Sequence, residues 1–170
     1  MKKILIVMLI VLVTQVNVSC KKDSTDVPIG TLKASIDGAV TNFNVSAKAS
    51  NLSVQGGQGI KIFGYKKDPT LSGTSFQIVI ASPASISSGT YVENTNDNPL
   101  VQVNYFYDFF FGAGFSYSNY HSSTAPMTIN ITEKNSGSIK GTFSGELKGN
   151  DLNGNPIVSK ITNGVFNVSF

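Results

Sequence analysis

The chain has 170 residues, of which only 14% are charged, and its basic residues are all lysine, without arginine or tryptophan. One cysteine rules out an internal disulfide, and the lack of any dense cationic stripe excludes nucleic-acid binding. A domain of this length buries roughly two thirds of its surface on folding, so its core needs neither a disulfide nor a metal.

Met1-Lys2-Lys3 is a short positive region, and Ile4 to Val13 is an unbroken apolar run of ten residues. As a helix that run spans about 15 Å, half of a hydrocarbon core of roughly 30 Å, so it is too short to cross a membrane. Residues 1–19 instead have the layout of a secretory signal peptide and are expected to be helical. Cys20 follows directly on Val18-Ser19. This arrangement resembles the lipobox of bacterial lipoproteins, with Asn17 where that pattern usually carries leucine. The resemblance implies a diacylglycerol group on the Cys20 thiol, cleavage just before it and acylation of the new amine. A free thiol at a mature N-terminus has little structural use in an oxidising compartment, which agrees with the acceptor role. Three acyl chains on one residue would make membrane release negligible, since each buried methylene contributes about 0.8 kcal/mol.

Residues 20–30 read as a flexible tether, polar from Lys21 to Asp26 and closed by Val27-Pro28. Lys21-Lys22-Asp23 resembles the surface-export signal of Bacteroidota lipoproteins, and Asp23-Ser24-Thr25 resembles the O-glycosylation acceptor of that phylum. The expected location is therefore the outer membrane, lipid-anchored and facing the cell surface, with the periplasmic face as the alternative. Without Lys2 and Lys3, 11 lysines stand against 10 acids, a net charge of +1.

Residues 31–170 read as a single β-domain, an antiparallel β-sandwich or partly open β-barrel built of hairpins. Thr31 to Ile36 and Ala39 to Val45 are strand-like around Asp37-Gly38, a turn that sets Ile36 opposite Ala39 and Leu32 near Phe43. Leu52 to Gln55 and Gly59 to Tyr65 flank Gly56-Gly57 as a second hairpin, with Ile60, Ile62 and Gly64 inward. Thr74 to Ala81 places Phe76, Ile78 and Ile80 on one side, and Pro83 ends it. Gly89 to Val92 is a short strand before the polar loop Asn94 to Pro99.

Val101 to Tyr120 differs from the rest. Val101, Val103, Tyr105 and Tyr107 keep strand parity, whereas Phe106, Phe109, Phe110 and Phe111 break it. Nine of the 17 aromatic residues lie between Tyr105 and Tyr120. Either both faces of this strand are buried and Gly114 to Tyr120 pairs back on it, or some rings line an exposed patch or pocket. Tyr105, Tyr107, Phe109, Phe110, Phe111, Tyr117 and Tyr120 are the candidate ligand-binding residues. Tyrosine faces stack on pyranose CH groups while the hydroxyl hydrogen-bonds, so a glycan is one expected ligand and an envelope protein another.

Met127, Ile129 and Ile131 alternate with polar residues, and Lys134 to Gly137 supplies a turn. Ser138 to Lys148 then keeps a two-residue period, with Ile139, Gly141, Phe143, Gly145 and Leu147 inward. The two inner glycines leave room for a ring from a neighbouring strand. Ile157 to Thr162 and Val165 to Phe170 follow; Asn163-Gly164 is either a hairpin or, as the reading favours, a bulge in one long strand.

Ile36-Asp37-Gly38, Gly89-Thr90-Tyr91, Gly141 to Gly145 and Thr162 to Phe166 resemble small uncharacterised lipoproteins of Bacteroidota. That resemblance implies an envelope-anchored β-domain and carries no functional residue with it.

No catalytic constellation emerges. His121 is the only histidine, so no multi-histidine metal site can form. Its pairing with Asp108 lacks a nucleophile elbow, and the acids do not make the facing pair that glycoside hydrolysis needs. Asp151 to Asn155 begins like a calcium loop but has Pro156 at the glycine position and Thr162 in place of the bidentate glutamate. The loop Glu93 to Asn98 is the other calcium candidate. No cofactor, metal or nucleic acid is expected. The favoured function is a non-enzymatic surface-binding or accessory module; the rivals are a structural envelope protein without ligand, a lipocalin-like carrier and, last, a hydrolase.

Overall fold

The computed structural model describes residues 27–70, 73–110, 113–119, 125–150 and 154–170, with backbone alone at 108–110 and 113–115. The expected signal helix, Cys20 and the first part of the tether lie outside them.

The described chain is all-β. Eleven strands run β1 Thr31–Ile36, β2 Ala39–Asn42, β3 Val45–Val54, β4 Gly57–Tyr65, β5 Ser75–Ser82, β6 Gly89–Val92, β7 Leu100–Phe110, β8 Ala113–Ser118, β9 Thr128–Lys134, β10 Ser138–Asn150 and β11 Pro156–Ser169. They form one antiparallel sheet in the order β2-β1-β11-β10-β8-β7-β5-β4-β3, with β9 on β10 and β6 on β9. The sheet curls into a half-barrel, the partly open form of the expected architecture.

Its curvature follows from a corner. β2 and β3 lie at opposite ends of the strand order, yet only Phe43 and Asn44 separate them in the chain. The sheet must therefore bend until its two ends meet. Phe43 donates its N–H to the Leu32 carbonyl (2.7 Å), and the Asn44 Oδ1 accepts from the Leu32 N–H (2.9 Å). The run expected as one strand to Val45 is broken here, because the chain must leave one edge for the other. The next hairpin also turns one residue earlier than expected: Val54 pairs with Gly57 around Gln55-Gly56.

Other expectations are met closely. Ile36 pairs with Ala39, and β6 spans Gly89–Val92. Phe76, Ile78, Ile80, Ile60, Ile62, Ile139, Phe143 and Leu147 are all in the core. β11 is one continuous strand, so Asn163-Gly164 is a bulge. It carries one extra residue relative to both neighbours, with Asn163 at φ 50°. The bulge shifts parity, so that Ser159 and Ile161 before it and Phe166 and Val168 after it all point inward.

Aromatic rings fill the middle of the fold. Phe43 lies 5.2 Å from Phe76, Phe76 5.2 Å from Phe143, and Phe143 6.4 Å from Phe166, all between centroids. Gly141 faces Phe166, the ring for which the inward glycines were expected to leave room. A Cβ there would lie 2.6 Å from the Phe166 Cζ. Gly145 serves a different end: a Cβ there would meet the Met127 backbone, 2.6 Å from its Cα, and not a ring. At this point the edge of β10 changes partner, from β9 along Ile139–Ser144 to β8 at Lys148. Glu93, buried in this fork, accepts the Met127 N–H at its Oε2 and donates its own N–H to the Met127 carbonyl (both 2.9 Å).

Candidate functional site

The aromatic segment forms the β7–β8 hairpin, with Tyr105 opposite Tyr117 and Tyr107 opposite Phe115. Ala113–Ser118 thus pairs back on the preceding strand, as the first of the two readings held for this run, although Gln102, Asn104 and Phe106 on the other face of β7 are only half-buried. Val101, Val103 and Tyr105 alternate into the core, whereas Tyr107, on the same face one step further, is 41% exposed. Tyr105 packs against Phe43 (5.9 Å) and stacks on Tyr117 (5.8 Å, interplanar 25°). It is a core residue out of reach of an outside ligand. Tyr117 is half-buried, and Tyr107 sits 6.2 Å from Tyr105. Phe111 and Tyr120 lie outside the described residues, as do the side chains of Phe109 and Phe110, and with them His121 and the Asp151 to Asn153 start of the calcium candidate.

The hairpin is held by an amide that imitates a strand. Asn119 is buried; its Oδ1 accepts the Val103 N–H (2.5 Å) and its Nδ2 donates to the Val101 carbonyl (2.8 Å). The ladder is extended by a side chain where the β8 backbone leaves β7. Ser118 pairs with Asn104 on β7 and with Lys148 on β10, which fixes the hairpin to the far half of β10. The buried Ser118 Oγ has no hydrogen-bond partner among the described residues.

That docking brings in residues the sequence did not single out. Gly149 lies against the Tyr117 ring, where a Cβ would come within 2.7 Å of its Cδ1. Gly149 pairs with Ile157 across β11, and both share the inner face with Leu147. Tyr107, Tyr117, Gly149 and Ile157 therefore form the mouth of the half-barrel, beyond the last buried layer. Beside it an open groove of about 490 Å³ is lined by Lys148, Asn150, Pro156 and Val158, with Gly149 and Ile157. Val158 is 53% exposed. Local sequence marks these only as wet-face and turn residues; the β10–β11 register lines up the groove, and the β8–β10 pairing that sets Tyr117 on Gly149 is tertiary.

The mouth offers two tyrosine faces with their hydroxyls and an aliphatic rim, while Lys148, Asn150 and Val158 alternate with Gly149 and Ile157 and stand on the outer face of the same hairpin end. Such a set suits a ligand with apolar CH faces and hydroxyls. Among the described residues no three His, Cys, Asp or Glu side chains converge on a metal position. In the second calcium candidate, the Asn94 Oδ1 is engaged by the backbone N–H groups of Asn96 (3.0 Å) and Asn98 (3.3 Å).

No protein-family model matches this chain, and neither a curated protein nor a solved structure is detectably similar to it. Function is therefore argued from the site.

Proposed function

We propose that the chain is a lipid-anchored cell-envelope protein of the Bacteroidota type, whose β-domain is a non-enzymatic surface-binding or accessory module. Anchoring at Cys20 of the outer membrane is supported by the leader, the cysteine that ends it and the polar stretch behind it. The observation that carries the binding role is the separation of the two functional ends along β10. Val27 and Pro28 lie by Ser138 and Lys140, whereas the aromatic mouth lies by Lys148 and Gly149. Ten residues of strand put about 33 Å between them. A membrane that holds the chain at Val27 leaves the mouth, that far along the sheet and open on its inner side, clear.

A glycan fits the mouth best, because the Tyr107 and Tyr117 faces can stack on sugar CH groups while their hydroxyls hydrogen-bond to the sugar. A glycan-array screen of the mature chain carrying Cys20→Ser tests this. Binding should appear and fall about five- to tenfold in Tyr107→Ala, since one ring contact contributes roughly 1 kcal/mol. Silence across the array removes the sugar reading and leaves an envelope protein as partner. A structural envelope role without ligand is the second reading, favoured by Tyr105, which the fold spends entirely on its core.

A further inference from the structure

We propose that the outer face of β9, β10 and β11 is the membrane-facing side of the domain, held at the phospholipid headgroups by a docked strap, Val27–Gly30. The inference rests on anchoring at Cys20 and adds an orientation to it. Phe166 and Val168 point inward, so Asn167 between them points outward, yet it is only 9% exposed. The strap covers it. The Asn167 Nδ2 donates to the Val27 carbonyl, the Gly30 N–H donates to the Asn167 carbonyl (2.8 Å), and the Thr31 hydroxyl donates to the Pro28 carbonyl (2.7 Å). The residues that close the expected tether are thus laid on the outside of β11, beside Glu133, Ser138 and Lys140.

Docking shortens the reach of the anchor. Seven residue steps join Cys20 to Val27, which span at most about 24 Å. A globule of this size has a radius of gyration of about 14 Å and is therefore about 37 Å across. A chain that leaves the outer face of β11 cannot pass around the globule within that length, so this face stays toward the bilayer. The strap also presents Ile29, which is 68% exposed, next to the half-exposed Lys140. An apolar side chain beside an ammonium suits the boundary between acyl chains and phosphates.

Two positions give the test. Phe143 and Phe76 meet across the core, so their neighbours Thr142 on β10 and Gln77 on β5 point out of opposite walls. The full-length lipidated protein, carrying Thr142→Cys or Gln77→Cys labelled with a fluorophore, is bound to phosphatidylethanolamine–phosphatidylglycerol vesicles that carry a headgroup nitroxide. Quenching should be several-fold stronger at position 142. About twelve Gly and Ser residues inserted between Asp26 and Val27 should bring the two positions close to equality. Equal or reversed quenching in the uninserted protein overturns the orientation and leaves anchoring intact. A preference that survives the insertion overturns the short-reach argument. Failure to stay with the vesicles at all overturns the anchoring reading and this inference together.

Discussion

Gly141 and Phe166 face each other across β10 and β11, and two residues further along Phe143 faces Gly164. Each glycine makes room for the ring on the other strand. A Cβ on Gly164 would lie 2.6 Å from the Phe143 Cδ2, as close as one on Gly141 would come to Phe166. Both also abut a backbone carbonyl, which cannot swing aside. Gly141→Ala and Gly164→Ala should each destabilise by about 2–3 kcal/mol, the usual cost of overpacking. Gly137→Ala, whose nearest neighbour would be 3.7 Å away, should cost under about 0.5 kcal/mol. Urea unfolding of the three variants checks the contrast. At Asn119 the loss is polar. Asn119→Ala strands the Val103 N–H and the Val101 carbonyl in the interior, and at about 1–3 kcal/mol for each buried group it should cost about 3 kcal/mol. A thermal melt shifted by under a degree would contradict that role.

β7 and β11 show how an element divides its residues between core and site. Along β7, Tyr105 and Tyr107 share a face but not a fate, because the buried layer ends between them. Tyr105→Ala should cost about 3–5 kcal/mol and Tyr107→Ala about 1 kcal/mol or less, as read by denaturant midpoints. Along β11, the bulge holds Asn163 in the left-handed region, which asparagine and glycine tolerate and β-branched residues do not. Asn163→Val should therefore destabilise by about 1–2 kcal/mol, and Asn163→Gly by under about 0.5 kcal/mol. Elements of this kind were legible in the sequence where alternation and turn chemistry are local. The Asp37-Gly38 hairpin, the inward face of Ser138 to Lys148 and the parity change at Asn163-Gly164 all belong here. The corner at Phe43-Asn44 was not legible, because Ala39 to Val45 alternates without interruption; only the need to join two distant edges breaks it. Gly145 was misread for the same reason: what crowds it is the backbone of Met127 at the fork, a partner that strand period cannot name.

For the molecule as a whole, the all-β class followed from composition and period, while the site emerged only in part. Sequence pointed to the β7–β8 aromatics but could not separate Tyr105, a core residue, from Tyr107 at the mouth. It could not find Gly149, because its meeting with Tyr117 depends on the β8–β10 pairing at Ser118 and Lys148. The strap was equally hidden, since Val27-Pro28 reads as tether until Asn167 is seen beneath it. At this scale every functional statement depends on a lipid at Cys20, for the mouth matters as a cell-surface site only if the chain is held at the envelope. Mass spectrometry of the mature N-terminus from the native membrane measures that directly. The account predicts a chain that begins at residue 20 with a diacylglyceryl thioether and an acylated amine; a mature chain with an unmodified Cys20 thiol, or one that begins elsewhere, would contradict it.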